Sequence, residues 1–287
     1  MRPRTPMAEV TAAAVAALRK ATGAGMMDCK RALAESDGDP EAAKDWLRTQ
    51  GLAGASKRAG RAAEQGAVEV LVEGPVGVIA ELTAETDFVA KSADFTDTVA
   101  KLARLALDEG QEDLAELEFE GGTVGGFVVQ MASTLGENVA LGRVVVFESE
   151  DGVVDGYRHV QNGRGTIGVL VDLGGVDAGD EKARAVAHDV ALHIASAAPR
   201  WVTREDVPAD VVEKERAVLE ELTRNEGKPD NAVPKIVEGR LNGFYKDNVL
   251  LEQGFVREPK TTVGKLVAGL GAQATIRRFA RVKVGED

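Results

Sequence analysis

The stretch Val76-Gly-Val-Ile-Ala-Glu-Leu82 has the composition of a β-strand, and it leads into Glu85-Thr-Asp-Phe-Val-Ala90, where a helical pattern begins. Before it, valines alternate with other residues from 68 to 72, and the pair Gly74-Pro75 is typical of a turn. The two runs therefore predict a β-hairpin that exits into a helix. At this exit an acid, Asp87, stands beside an aromatic ring, Phe88. Because only 4% of the chain is aromatic, this acid–aromatic pair is a functional candidate.

The same order of elements occurs again further along the chain. Strand-like runs at Val153–Val160 and Ile167–Leu173 precede a helical pattern at Glu181–Ala197, just as the first hairpin precedes helically spaced apolar residues between Phe95 and Ala106. The connections are too short for repeated right-handed crossovers, so the strands are predicted to be antiparallel. The sequence thus predicts an α+β fold with two related antiparallel-sheet/helix subdomains.

Further helical patterns flank this duplicated core. Near the amino terminus, three helices are predicted over Thr11–Ala21, from Gly25 to about Glu35, and from Asp39-Pro40 onward, with Gly51 as the end of the third. After the core, two amphipathic runs are joined by the turn Gly227-Lys-Pro229 and predict an antiparallel coiled-coil hairpin. A last helix and a last strand end the chain.

These patterns predict a division of the chain into six parts. They are a disordered leader (1–6), a helical domain (7–54), a basic linker (55–65), a first core subdomain (66–141), a second core subdomain (142–262) that includes the coiled-coil hairpin (209–245), and a C-terminal module (263–287).

The charge distribution limits the kinds of partner. The net charge is −12, and residues 64–160 alone carry 20 Asp+Glu against 5 Lys+Arg, which is −15. Such an acidic middle repels phosphates, so no direct nucleic-acid binding is expected there. A basic segment with Lys57, Arg58 and Arg61 leaves an RNA-associated adaptor as an alternative. A single cysteine, Cys29, and the lack of a run long enough to span a bilayer predict a cytoplasmic protein with no membrane partner.

The sequence contains no recognisable catalytic or ligand-binding motif. Residues 163–168 fit G-x-G-x-x-G, but they precede a strand rather than open a helix, so a hairpin turn is predicted instead of a dinucleotide site. His188 and His193 are five positions apart and point to different sides of a helix, so they do not form a metal pair. We expect no enzyme activity, cofactor, metal or small-molecule substrate, and interpret the chain as a protein-binding protein.

The sequence also resembles a known protein family. Six motifs occur in the order found in bacterial elongation factor Ts, and the resemblance extends from about Met7 to about Gly285: Thr22–Lys30, Glu85–Ala90, Gly136–Val139, Ile167–Val171, His193–Ala195, and Gly227–Pro229 with Lys235–Arg240. The resemblance implies a UBA-like N-terminal three-helix domain, two related core subdomains, a coiled-coil hairpin and a C-terminal module.

The resemblance also implies a function. Members of this family exchange the guanine nucleotide of elongation factor Tu, a translational GTPase, and Thr86 to Val89 match the segment that displaces its Mg²⁺. In this interpretation Phe88 acts as a wedge, Asp87 perturbs the Mg²⁺ site, and Thr86 and Val89 hold both in place. For Phe88 the alternative is a first core residue of the following helix.

Further contacts with the GTPase are implied for two other groups of residues. Met26, Met27 and Lys30 should meet its nucleotide-binding domain, although core filling is the alternative for the methionines. Segments containing Ile167, Gly168 and His193 should approach its phosphate-binding region. For Ile167 and His193 an ordinary place in the core is the alternative.

Overall fold

A computed structural model describes residues 10–22, 24–58 and 60–286 of the chain. The predicted leader, residues 1–6, lies outside these ranges. Three helices come first: α1 (Ala12–Thr22), α2 (Met26–Glu35) and α3 (Pro40–Arg58). Asp39 caps α3 as predicted, because its carboxylate accepts hydrogen bonds from the amides of Glu41 at 2.8 Å and Ala42 at 3.2 Å. A small apolar core that includes Leu18, Cys29 and Leu33 holds the three helices together.

The first half of the core is a three-stranded antiparallel sheet with helices on one face. The elements in chain order are β1 (Gln65–Glu73), β2 (Val76–Ala84), α4 (Asp87–Ala90), α5 (Ala93–Glu109), β3 (Glu118–Phe119), β4 (Gly122–Thr123), α6 (Val124–Leu135) and β5 (Val139–Glu148). The strands of the sheet have the order β1-β2-β5. Helices α5 and α6 cover this sheet, and their core includes Phe95, Leu102 and Leu82.

The second half repeats this topology. The elements in chain order are β6 (Gly152–Gln161), β7 (Arg164–Gly174), α7 (Glu181–Ala197), α8 (Ala209–Asn225), α9 (Val233–Asn248), β8 (Gly254–Phe255), β9 (Glu258–Thr262), α10 (Val263–Ala268) and β10 (Thr275–Lys283). The sheet has the order β10-β7-β6. In both sheets, therefore, the second strand of a hairpin is central and a later strand pairs antiparallel with its other edge. The predicted α+β class with antiparallel sheets is confirmed.

The two sheets pack against each other through the faces that do not carry helices. Valine, isoleucine and leucine side chains from both sheets form one buried cluster, including Val68, Ile79, Val154 and Leu170. The order of layers is therefore helices, first sheet, second sheet, helices. This arrangement fixes the end of the first hairpin relative to the second half of the chain.

Two predicted domain boundaries are wrong for one shared reason. The boundary between residues 141 and 142 divides β5, which is hydrogen-bonded to β2 in the first sheet. The boundary before residue 263 separates β10 from its own sheet, in which it pairs with β7. In both cases the strand lies far along the chain from the strand with which it pairs. Local sequence patterns do not indicate such a pairing.

Helix α3 continues past the residue that was predicted to end it. Gly51 lies inside α3, and a Cβ atom at this position would lie 2.9 Å from the Ser133 Oγ of α6. The glycine thus allows α3 to pack closely on α6, and packing outweighs its weak helix propensity. The guanidinium of Arg58 also donates to the Ala132 carbonyl of α6 at 3.3 Å. The predicted boundary at 54/55 therefore lies within a continuous helix.

Helices α8 and α9 form a helical hairpin with a polar contact between them, since Arg240 of α9 donates to the Thr223 hydroxyl of α8 at 3.2 Å. Val233, Val237 and Leu241 of α9 are buried. Val218 and Leu222 of α8 are 60% and 48% exposed. None of the helices in the described ranges is long and apolar enough to cross a membrane.

Candidate partner-binding site

The acid–aromatic stretch forms a sharp corner at the end of the first hairpin. Thr86 follows β2 in an extended conformation, and its hydroxyl accepts a hydrogen bond from the Val89 amide at 3.4 Å. This cap starts the single turn of α4. Ala90 is fully buried and Val89 packs against the first core, so the back of the turn is anchored. The front of the turn, Asp87 and Phe88, faces outward.

The ring of Phe88 is exposed. It is 76% accessible to solvent, which excludes the alternative that Phe88 begins the core of the following helix. The Lys91 ammonium lies 4.4 Å from the ring centroid, at a distance typical of a cation–π contact. An exposed aromatic ring on an anchored corner is suited to insertion into another protein, because aromatic side chains dominate the energy of many interfaces.

The carboxylate of Asp87 is held in its ionised form. The Lys91 ammonium donates to it at 3.0 Å, and this hydrogen bond, with additional attraction from Lys91 and Arg164, lowers the pKa of Asp87 from its ordinary value. A negative charge therefore stands next to the exposed ring at neutral pH. Among the described residues, no three His, Cys, Asp or Glu side chains are grouped so that they could bind a metal ion.

Glu137, in the connection between α6 and β5, holds the corner from one side. Its carboxylate accepts from the Thr86 amide at 3.0 Å and from the Thr86 hydroxyl at 2.6 Å. The backbone N–H of the next residue, Asn138, donates to the Glu85 carboxylate at 2.6 Å. Glu137 and Asn138 belong to one of the motifs that carry the family resemblance, but the sequence alone gave no reason to place them beside Thr86.

Arg164, the first residue of β7, holds the corner from the second sheet. Its guanidinium donates to the Asp87 carbonyl at 3.2 Å and to the Gln65 side chain at 2.9 Å. Sequence reasoning missed this residue, because its contact with Asp87 spans 77 positions along the chain.

The second predicted contact surface is also exposed. Met26 and Met27 are 58% and 68% accessible, so they are surface residues rather than core filling. They line a groove of about 730 Å³ between α1 and α2, and the groove also has cationic side chains: Arg19, Lys20 and Lys30. A flexible apolar floor with a positive rim suits an amphipathic partner segment with acidic residues.

In the third predicted group, Gly168 and His193 are buried in the free chain and Ile167 is half-buried. Gly168 faces the first sheet, where an added Cβ would lie 2.6 Å from Val68 Cγ1. Ile167 packs against the second core. His193 is 1% exposed, and both its ring nitrogens are paired: Nδ1 accepts from the Val256 amide at 3.2 Å, and Nε2 lies 2.8 Å from Gln253 Oε1.

The burial of His193 predicts a dependence of stability on pH. Burial lowers the pKa of His193 below its ordinary 6.5, with partial opposition from the Gln253 hydrogen bond. The unfolded chain therefore binds a proton that the folded chain does not, and the free energy of unfolding should fall as the pH drops below that ordinary value. We expect urea unfolding at about pH 7.5 and about pH 5.5 to show a smaller difference in His193→Gln than in the wild type.

The matched control for this experiment is His159→Gln, because His159 is exposed on β6. It should keep the wild-type difference between the two pH values. An unchanged pH dependence in His193→Gln would show that other groups cause it.

The matches to known proteins cover nearly all of the chain. The profile of the family described as Elongation factor TS matches residues 85–286. The chain is 46% identical over 284 residues to elongation factor Ts of Micrococcus luteus, with 97% of this chain and 100% of that protein covered. It is 45% identical over 284 residues to elongation factor Ts of an Arthrobacter species, with coverage of 97% and 100%. The corresponding protein of a Ruegeria species is 45% identical over 278 residues, with coverage of 96% and 93%.

The fold, the exposed corner and these matches together define a translation elongation factor, a protein of protein biosynthesis. The particular family follows from the same matches. The chain belongs to the elongation factor Ts family.

Proposed function

We propose that the chain is a guanine nucleotide exchange factor that binds elongation factor Tu with GDP, displaces Mg²⁺ and promotes GDP release so that GTP can rebind. The observation that carries this proposal is the 76% exposure of Phe88 on an anchored corner beside an ionised Asp87. Promotion of GDP release in this way makes and breaks no covalent bond. The chain would therefore not be an enzyme.

The mechanism uses the corner as a wedge. In GTPases, Mg²⁺ bridges phosphate oxygens and loop side chains. Insertion of the Phe88 ring between elements of the GTPase would shift the loops that hold the ion, and the Asp87 carboxylate would alter the charge around it. Thr86 and Val89 fix both side chains, Thr86 as the cap of the turn and Val89 through its contact with the core.

Two further parts of the chain support this proposal. Met26, Met27 and Lys30 would bind the same GTPase through the groove between α1 and α2. We also propose that α1–α3 form a UBA-like domain, that α8 and α9 form a coiled-coil hairpin, and that the first subdomain ends after Glu148, where β5 ends. The segments that contain Ile167, Gly168 and His193 would approach the phosphate-binding region of the GTPase. The factor would work in the cytoplasm, with its GTPase partner.

Exchange follows from thermodynamic coupling. If the bound factor weakens the affinity of the GTPase for nucleotide, nucleotide weakens the affinity for the factor by the same ratio. GDP therefore leaves when the factor binds, and GTP binding later releases the factor.

The RNA-adaptor alternative is less well supported. Arg58 donates to the Ala132 carbonyl and Arg61 pairs with Glu85 at 3.3 Å, so two of the three basic side chains that it would use are engaged within the chain.

Stopped-flow release of a fluorescent GDP from elongation factor Tu tests the proposal. We expect the wild-type chain to accelerate release strongly in millimolar Mg²⁺ and much less in excess EDTA, since EDTA removes the ion that the factor would displace. Equal acceleration in both buffers would contradict Mg²⁺ displacement, and no acceleration in either would contradict exchange activity.

A further inference from the structure

We infer that Glu137 and Arg164 are positioning residues, which fix the corner of residues 86–89 in the orientation that drives nucleotide release. This inference rests on the exchange function proposed above. It assigns a role to two side chains that would act on the partner only through Thr86 and Asp87.

The contact of Glu137 determines how the turn begins. Its two carboxylate oxygens take both polar hydrogens of Thr86, from the amide at 3.0 Å and from the hydroxyl at 2.6 Å. Because the hydroxyl hydrogen points to Glu137, a lone pair of the same oxygen is free to accept from the Val89 amide. Glu137 thereby sets the direction of the cap, and the cap sets the direction of α4.

Arg164 fixes the other end of the corner. Its guanidinium donates to the backbone carbonyl of Asp87, whereas the Asp87 carboxylate accepts from Lys91. The same guanidinium donates to Gln65 at the start of β1, which links the second sheet, the first sheet and the corner. The turn is therefore held from both halves of the duplicated core.

This anchoring matters because α4 has only four residues. An isolated turn of this length has no intrinsic stability, since forming a first helical turn is unfavourable. Contacts outside the turn must therefore define where Phe88 points. A ring that is already oriented loses less conformational freedom when it inserts into a partner.

A double-mutant cycle in the GDP-release assay tests the role of Glu137. In Glu137→Ala the maximal release rate should fall about ten-fold, while the factor concentration for half-maximal rate changes little. In the Phe88→Ala background the same substitution should change the rate by less than about two-fold, because there is no ring left to position. Glu137→Gln keeps one acceptor for the Thr86 amide and should lie between Glu137→Ala and the wild type.

A merely structural role would give a different pattern. Glu137→Ala would then reduce the rate by the same factor in both backgrounds, in proportion to the folded fraction measured by circular dichroism. That result would overturn the inference.

Arg164 has a matched control in Arg158, which also joins the two sheets through an ion pair, with Glu69, but does not touch the corner. Arg164→Met should slow GDP release, and Arg158→Met should leave it at the wild-type rate. Equal rates for the two variants would overturn the assignment of Arg164.

Amide hydrogen exchange gives a readout that does not require the GTPase. In the free chain, Glu137→Ala should speed exchange of the Thr86 and Val89 amides, and unchanged protection would contradict the inference. A wild type that does not accelerate GDP release would remove the exchange function, whereas an active wild type matched by Glu137→Ala and Arg164→Met would remove only the positioning roles.

Discussion

Replacing Phe88 by alanine should slow factor-stimulated GDP release by about 30-fold, which corresponds to the loss of about 2 kcal/mol from one aromatic side chain central to an interface. The side chain is 76% exposed in the free chain, so the lost contacts are those made with the partner rather than within the protein. Stopped-flow release of fluorescent GDP at saturating factor measures the effect.

The same exposure predicts that Phe88→Ala leaves folding intact. The free energy of unfolding should change by no more than about 0.5 kcal/mol, as for other surface substitutions. Val256→Ala is a suitable control, because Val256 is an exposed apolar residue, 41% accessible, outside the corner. A Phe88→Ala variant as fast as the wild type would contradict the wedge role and leave exchange itself untouched.

Replacing Gly168 by valine should lower the free energy of unfolding by about 3 kcal/mol, the upper range for overpacking a well-filled core. An added Cβ would lie 2.6 Å from Val68 Cγ1, 2.9 Å from Ile79 Cγ2 and 3.0 Å from Val70 Cγ2. All three atoms belong to the opposite sheet, so the side chain would force the two sheets apart. Urea unfolding followed by circular dichroism measures this change.

Gly239→Ala provides the contrast. Gly239 lies within α9, and nothing would lie within 4 Å of a Cβ at that position. Alanine should therefore stabilise the helix by up to about 1 kcal/mol. If Gly168→Val unfolded like the wild type but lost GDP release, Gly168 would be a partner contact, as the resemblance implied, and not part of the sheet interface.

The sequence predicted those features that depend on neighbouring residues. Alternating valines and the Gly74-Pro75 turn are local signals, and the first hairpin lies where they indicated. The cap at Asp39 was predicted for the same reason, whereas a surface position for Met26 and Met27 was implied by the family resemblance. The repeated order of strands and helix also indicated the α+β class correctly.

The features that it missed depend on distant contacts. Nothing near β5 in the sequence shows that it pairs with β2, and nothing near Gly51 shows that α6 lies against it. His193 has the residue type of a functional site, yet its two hydrogen-bond partners, Gln253 and Val256, make it a satisfied core residue. Glu137 reaches the corner because β5 pairs with β2, and Arg164 reaches it because the two sheets pack together.

The position of Lys91 has a consequence for the behaviour of the free protein in solution. An uncovered phenylalanine ring promotes self-association, and a charge beside an apolar segment opposes it. The Lys91 ammonium lies 4.4 Å from the centre of the Phe88 ring and also binds the Asp87 carboxylate. The Lys91 charge beside the exposed Phe88 ring therefore opposes self-association of the free chain.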